Sequence, residues 1–498
     1  MIEKLRRRVS PPLLACLLAA AIVGYLLFLT PINGYADNGD FARVIYINGI
    51  YPLDPKNYQY TTYLTQHYGL FQYYNEHVAM LFSSQGLFVK MAIGLNKLFY
   101  SRTIFDLRFM GLVYYGFYLG GIYLLTLALT DRTKRQLVDY VIALLVVFVF
   151  ADSSLTLYFN SFFAEPVMII AMMYITATLL LLMKKQFTRR WSLLVGYFFA
   201  AVALITVKQQ NAPLALSLVV VTVGLGFVYR DKLARWVAPL ICLALLGTGL
   251  ATYVMITDQF SNINSYQSMT RGVLLKEADP GNSLEKGGLS RQYGLLKGDI
   301  YTQTYAATSV KSKNITADFI PQYNFAWILK YYLTHHQQFD EMLDVAARDS
   351  YLVQIKAVGD FTKDSGAKPH QQVQYFTLFG AIMKAFFPKK FAFYLTLCVV
   401  LAIIYTIIFV IGIKSNEMAV AIKAFMMIGY ATMIIGTFIT AVVGDGDADL
   451  AKHLLIVPLA LNLMFLQIIA DVLHHNFWHP AREEQQWEND GYRYGWRL

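Results

Sequence analysis

Charge is scarce in this chain. Asp, Glu, Lys and Arg make up 15% of its 498 residues, where a soluble domain carries about 25%. Hydrophobic residues make up 56% and mean hydropathy is +0.43, which excludes an ordinary soluble fold. Cysteine is nearly absent: Cys16, Cys242 and Cys398 all fall inside apolar runs, so neither a disulfide framework nor a zinc site is expected. No internal repeat or low-complexity tract is evident, which removes the sequence basis for an inverted-repeat transporter. The net charge is +10, from 42 Lys and Arg against 32 Asp and Glu. Those cations sit in short loops between apolar runs, the pattern of a positive-inside signal and not of a nucleic-acid surface.

Apolar runs are what the chain does have, recurring near the length of about 20 residues that crosses a bilayer. The clear ones cover 12–30, 109–129, 137–157, 166–183, 191–207, 212–229, 236–257, 391–413, 419–440 and 453–473. Together they predict an all-α polytopic membrane protein of about ten transmembrane helices with one large extracytoplasmic segment. Residues 1–257 form an N-terminal membrane module with a first outer loop at 31–108, and 258–390 form the extracytoplasmic segment. Residues 391–473 carry the last helices and 474–498 a cytoplasmic tail. Lys4 and Arg6 to Arg8 precede the first run, which lacks a small-residue cleavage site and reads as a retained anchor.

Loop charge sets the topology. Arg132, Lys134 and Arg135, then Lys184, Lys185, Arg189 and Arg190, then Arg230, Lys232 and Arg235, then Lys414 and Lys423 are all cytoplasmic if 77–98 does not span. That stretch has a polar middle, Ser83-Ser84-Gln85, which suits an interfacial helix better than a crossing. Both termini are then cytoplasmic. Lys389 and Lys390 fall on the wrong side of this scheme.

The same parity brings four polar clusters to the extracytoplasmic face: Asp37-Asn38-Gly39-Asp40, Asn160 to Pro166 with Glu165, Lys208 to Asn211, and Asp445-Gly446-Asp447-Ala448-Asp449 followed by Lys452 and His453. Asp37 and Asp40 flank a glycine that permits a tight turn aiming both into one pocket. Glu165 precedes Pro166 at a helix start, where the positive helix end favours an anion. Lys208 suits a phosphate, and equally a lysine snorkelling to head groups. Lys452 and His453 beside three aspartates suit a phosphate or a metal-bound phosphate; a solvated loop is the plainer alternative. Tyrosines such as Tyr60, Tyr63, Tyr73 and Tyr74 crowd the first loop, as expected for ring stacking or interfacial anchoring.

At these residues the layout resembles the GT-C superfamily of polytopic glycosyltransferases, whose hallmark is an acidic motif in the first outer loop. Asn38-Gly39-Asp40-Phe41-Ala42-Arg43 is similar, more narrowly, to the bacterial glycan-biosynthesis hexose transferase family, and Phe163-Ala164-Glu165-Pro166 matches a second acidic position. The resemblance implies inverting transfer of a hexose from a polyprenyl-phosphate donor to an extracytoplasmic glycan or polymer, in the bacterial cytoplasmic membrane. It implies Asp40, or Asp37, as general base, Glu165 assisting with metal or acceptor, and Lys208, Lys452 and His453 holding the donor phosphate. Some members use a divalent metal such as Mg or Mn, for which Asp445 and Asp447 are the candidate ligands. Partners are then the lipid-linked sugar, the acceptor glycan and the bilayer, with no nucleic acid. A flippase of lipid-linked glycans, or a non-catalytic envelope-assembly scaffold, would use the same charged groups without breaking a bond.

Overall fold

The computed structural model describes residues 9–54, 59–77, 83–130, 136–184, 190–228, 234–301 and 308–476. Lys4, Arg6 to Arg8, Tyr58, Arg132, Lys134, Arg135, Lys185, Arg189, Arg230, Lys232 and the tail from Phe477 lie outside these. In chain order the main helices begin with α1 (Pro11–Phe28), α2 (Gln85–Phe99), α3 (Arg108–Leu129), α4 (Leu137–Phe150) and α5 (Glu165–Met183). There follow α6 (Arg190–Thr206), α7 (Leu214–Val228), α8 (Val237–Val254), α9 (Asp258–Gln267), α10 (Phe325–Thr334) and α11 (His336–Asp349). The chain ends with α12 (Leu378–Phe386), α13 (Phe391–Lys414), α14 (Val420–Asp445) and α15 (Ile456–Leu473).

All ten apolar runs are helical, but fewer than ten reach crossing length. Among the described residues seven helices are long and apolar enough to span: α1, α3, α5, α8, α13, α14 and α15. An eighth is reached if α4 and the turn after it, bent by 55°, count as one; α6 and α7 have only 17 and 15 residues. The chain is a multi-pass membrane protein. Alternating exposed and buried faces explain the packing: α1 turns Ala15, Ala19, Val23 and Leu26 inward and leaves Leu13, Leu17 and Tyr25 outside, the single inner stripe of a peripheral helix. Helix α5 is central, with 89% of its span buried against 22% for α8. Helices α7 and α14 approach closely through glycines, since a Cβ on Gly429 would lie 2.2 Å from Val221 and one on Gly224 2.8 Å from the Ala421 carbonyl.

The expectation of an all-α chain needs correction in the first loop. A three-stranded antiparallel sheet of β1 (Ile50–Pro52), β2 (His67–Leu70) and β3 (Ile104–Asp106) pairs Ile50 with Leu70 and His67 with Asp106. Tyr68 and Phe105 from this sheet pack on Phe162 at ring distances of 5.1 and 5.8 Å. The tyrosine-rich loop thus supports the Asn160 to Pro166 turn.

The polar middle of 77–98 has bonding work inside the protein. Gln85 is buried and its Nε2 donates to the carbonyls of Phe162 and Phe163, both at 2.7 Å. Ser83 Oγ donates to Val207 O at 2.7 Å and Ser84 Oγ to Ala203 O at 3.0 Å. These side chains satisfy carbonyls left free where α6 ends and where the turn before α5 is irregular. Segment 258–390 packs back on the same end of the bundle. Gly34 and Ala36 donate their N–H groups to the carbonyls of Asp360 and Gly359, laying the strand that leads into Asp37 against it. The turn-like Asp279-Pro280-Gly281-Asn282 opens a short helix, Pro280–Lys286, capped by the Asp279 side chain on Asn282 N.

Candidate functional site

The turn at Asp37 is built by its own side chains. Asp37 Oδ1 accepts from the N–H groups of Gly39 at 2.7 Å and Phe41 at 3.1 Å, and Asn38 Oδ1 accepts from Asp40 N–H. Gly39 supplies the positive φ of 102° that this closure requires. Phe41 follows as a hydrophobic pin, its ring edge-on to Phe162 and Phe163 at 5.4 and 4.9 Å. The outcome is a rigid turn that turns Asp40 toward the helix bundle.

Asp40 meets two cations there. Lys452 Nζ donates to Oδ2, and Arg43 Nη2 lies 3.0 Å from Oδ1. Lys452 also lies 3.1 Å from Asp449 and over the Phe163 ring at 5.3 Å, a placement that adds cation–π attraction. Burial alone would raise the Asp40 carboxyl, but the Lys452 and Arg43 charges outweigh it and hold it well below the usual carboxylate range. Burial would likewise lower the Lys452 ammonium, and the carboxylates of Asp40, Asp449 and Glu165 overcome that and raise it. Asp37 differs: burial lifts its carboxyl above the ordinary value, with the two backbone N–H donors offsetting part of the lift.

A second pair stands beside the first. Glu165, fully buried at the first turn of α5, takes Lys208 Nζ on Oε1 at 2.5 Å. Its Oε2 is buried and has no hydrogen-bond partner. Lys208 occupies the break between α6 and α7 in extended backbone, just before the short turn Gln209–Asn211. Asp40 feels the charge of Lys208, and Lys452 that of Glu165, so two carboxylates and two ammonium groups form one alternating cluster.

His453 belongs to a third contact set. Its Nε2 lies 2.9 Å from Asp445 Oδ2, its Nδ1 meets Gln210 Oε1, and Gln210 Nε2 donates to the His453 carbonyl. This ties the end of α14, the short turn before α15 and the α6–α7 break together.

Asp445 and Asp447 do not act as a pair. Asp447 turns away to Arg271, whose Nε is 2.6 Å from Oδ1. The contact is intimate because Gly446 has no side chain: a Cβ there would sit 2.4 Å from the Arg271 carbonyl carbon. Burial raises the Asp447 carboxyl and Arg271 offsets only part of it. A divalent cation does not fit this arrangement. Asp40, Glu165 and Asp447 each already face a side-chain cation, and no group of three or more His, Cys, Asp or Glu side chains among the described residues could hold a metal.

The structure therefore gathers Asp37, Asp40, Glu165, Lys208, Lys452, His453 and Asp445 at one end of the bundle, and separates Asp447 from them by its pairing with Arg271. Three participants were not anticipated. Arg43 stands in the quoted motif and Gln210 in the quoted polar cluster, so their positions signalled them. Arg271 sits in a π-helical turn, Ser268–Val273, a distortion common at functional sites, and nothing in the sequence separates it from other loop arginines.

The family described as the YfdI N-terminal transmembrane domain matches residues 1–489. No curated protein and no solved structure matches the chain.

Proposed function

The chain belongs to the YfdI N-terminal transmembrane domain family, and from that premise and the charge cluster we propose a membrane glycosyltransferase. It moves a hexose from a polyprenyl-phosphate donor to an extracytoplasmic cell-envelope glycan or polymer, with the cluster on the extracytoplasmic face of a bacterial cytoplasmic membrane and both termini cytoplasmic. The observation that carries this reading is the pairing of Asp40 with Lys452 beside Glu165 with Lys208. Two ammonium groups at the membrane edge suit the phosphate of a lipid-linked sugar, and a carboxylate beside each suits the hydroxyl that attacks it.

In this reading the donor phosphate draws Lys452 and Lys208 toward its oxygens. Asp40 then loses part of the positive field that depresses its carboxyl, and becomes a better proton acceptor as substrate arrives. The acceptor oxygen bonds to the anomeric carbon, its proton passes to Asp40, and the bond from that carbon to the phosphate oxygen breaks. Polyprenyl phosphate leaves with the electron pair and the anomeric configuration inverts. Glu165, with its uncommitted Oε2, orients the acceptor hydroxyl. His453, fixed between Asp445 and Gln210, supports the lysine beside it. No step requires a metal.

A flippase would keep its binding groups near the bilayer midplane, whereas these gather at the mouths of five helices. The test compares the surface glycan composition of cells carrying wild type, Asp40→Asn or Lys208→Ala at equal membrane expression. Loss of the hexose with both variants is expected. Full glycosylation with Asp40→Asn would sink the assignment.

A further inference from the structure

Helix α12 is amphipathic in the sense opposite to a core helix. None of its nine residues is buried. Leu378 is 63% and Phe386 82% exposed, and with Ile382 and the small Ala381 and Ala385 they form one apolar stripe. Such a stripe is costly in water.

Chain connection fixes where this stripe lies. Only residues 387–390 separate α12 from α13, a candidate span, so the end of α12 is held within about 17 Å of the first spanning residue at about 3.4 Å per residue. The inner face of α12 is held to the end of α4, and the residues just before α12 reach α1. Phe379 packs on Phe148 near the end of α4 at 5.6 Å, and Gly380 N–H donates to Asp152 at 2.8 Å just past that end. Phe376, one turn ahead, packs on Tyr25 of α1 at 6.3 Å. The helix therefore lies across the rim of the bundle with its apolar stripe facing outward.

Basic residues border that stripe. Lys356, Lys384 and Lys389 are exposed, and no carboxylate pairs with any of them among the described residues. Partial burial and then the neighbouring Lys356 and Lys389 ammonium groups push Lys384 below its ordinary value, so the three cations share one small region. Lys390 is different, since it pairs with Asp344 at 2.7 Å. This accounts for one of the two lysines on the wrong side of the positive-inside scheme: Lys390 is neutralised within the protein, while Lys389 belongs to an unneutralised trio.

We propose that α12 lies in the membrane interface, its stripe of Leu378, Ile382 and Phe386 among the acyl chains, and that Lys356, Lys384 and Lys389 bind the phosphate of an anionic phospholipid head group. An apolar face beside a basic edge is the pattern of an interfacial helix, and each lysine near an anionic surface contributes about 1 kcal/mol, about fivefold in affinity. The consequence reaches the charge cluster. The segment just before α12 carries Gly359 and Asp360, which hold the strand leading into Asp37, so a lipid-seated α12 steadies that segment from the membrane side.

The experiment uses the full chain in nanodiscs of mixed phosphatidylglycerol and phosphatidylcholine. The phosphatidylglycerol that stays bound after transfer to detergent is counted by native mass spectrometry. Wild type is expected to retain it, and the combined Lys356→Gln, Lys384→Gln and Lys389→Gln variant to retain at least about fivefold less with an unchanged melting temperature. Lys390→Gln should retain as much as wild type. Equal retention by the triple variant overturns the proposal. Displacement of the lipid by inorganic phosphate at matched ionic strength overturns it too, because the trio would then be a free-phosphate site. Spin labels at Leu378 and Phe386 give an independent reading: accessibility to a water-soluble relaxant greater than to oxygen would place the stripe outside the bilayer and also overturn it.

Discussion

Lys452 donates to Asp40 across 412 residues of chain, joining the loop after the first helix to the turn before the last. The lysine side chain is 5% exposed and the aspartate 22%, so loss of the lysine charge leaves the carboxylate in a poorly hydrated site, whereas the lysine has Asp449 as a second partner. Lys452→Met leaves Asp40 with Arg43 as its one direct cation contact and is expected to cost about 3 kcal/mol, at the low end for a buried pair because Asp40 keeps some water. Adding Asp40→Asn to that variant should recover part of the loss. Thermal unfolding of the two single variants and the double variant measures it, and strictly additive losses would refute a direct pairing.

Asp40→Asn alone should spare the fold, since Lys452 keeps Asp449 at 3.1 Å. That makes it a clean probe of chemistry. If Asp40 accepts the proton, transfer falls by about a hundredfold or more, while membrane insertion and melting temperature stay near wild type. Asp37→Asn should act differently. Its Oδ1 closes the turn on Gly39 and Phe41, and an amide oxygen can still accept both bonds, so the geometry survives and activity falls less. Equal losses from the two substitutions would make Asp37 as much a base as Asp40.

Glu165 and Lys208 predict an asymmetry. The glutamate is fully buried, while the lysine side chain is 23% exposed. Lys208→Ala strands a carboxylate that already has one unpartnered oxygen, whereas Glu165→Gln leaves an ammonium with access to water. The first should lower the melting temperature clearly more than the second, with about 3 kcal/mol between a stranded buried charge and a solvated one. Similar shifts would contradict the burial pattern.

Conspicuous residues were legible before their contacts were. Asp40, Glu165, Lys208 and Lys452 stand out because charge is rare in an apolar chain, and the structure brings them together at one end of the bundle. Their pairing was not legible, because no local spacing links position 40 to 452 or 165 to 208. The role of Ser83-Ser84-Gln85 was not legible for a physical reason: polar residues in an apolar stretch suit water or free buried carbonyls equally well, and only tertiary packing shows that these three bond carbonyls. The three-stranded sheet was hidden because its strands are three or four residues long and far apart, with no tight-turn residues to signal a hairpin. Asp445 and Asp447 stood as the candidate ligands of a metal that the resemblance implies, but Gly446 turns the chain at a φ of 63° and they meet different partners, His453 and Arg271.

Removal of divalent metal should leave activity intact. The carboxylates that would hold a cation are engaged by Lys452, Arg43, Lys208 and Arg271, and in the proposed reaction two lysines supply the positive charge that a leaving phosphate needs. Membranes treated with EDTA should transfer sugar at the untreated rate, with no gain on adding back Mg or Mn. A chelator-sensitive rate restored by either ion would mean that substrate binding rearranges these pairs into a metal site.

Asp360 gives the chain a pH dependence of its own. It is fully buried, accepts from Val373 N–H at 2.8 Å and Gln354 Nε2 at 3.1 Å on Oδ2, and has no partner for Oδ1. Burial pushes its carboxyl from the ordinary 3.8 up to about 7, against the pull of those two donors. Between these values the folded protein holds a proton that the unfolded chain has released. Stability therefore falls as pH rises through that window and levels off above about 7. The backbone of the same residue holds Gly34, three residues before Asp37, so the cost is placed where segment 258–390 grips the strand leading to the acidic turn. Asp360→Asn removes the ionisation and keeps an oxygen for both donors. Melting temperatures measured from pH 5 to pH 8.5 should decline for wild type by the equivalent of a few kcal/mol and stay nearly flat for the variant, which becomes the more stable of the two at the alkaline end. Parallel declines would assign the pH dependence to other groups and leave Asp360 ionised at no cost.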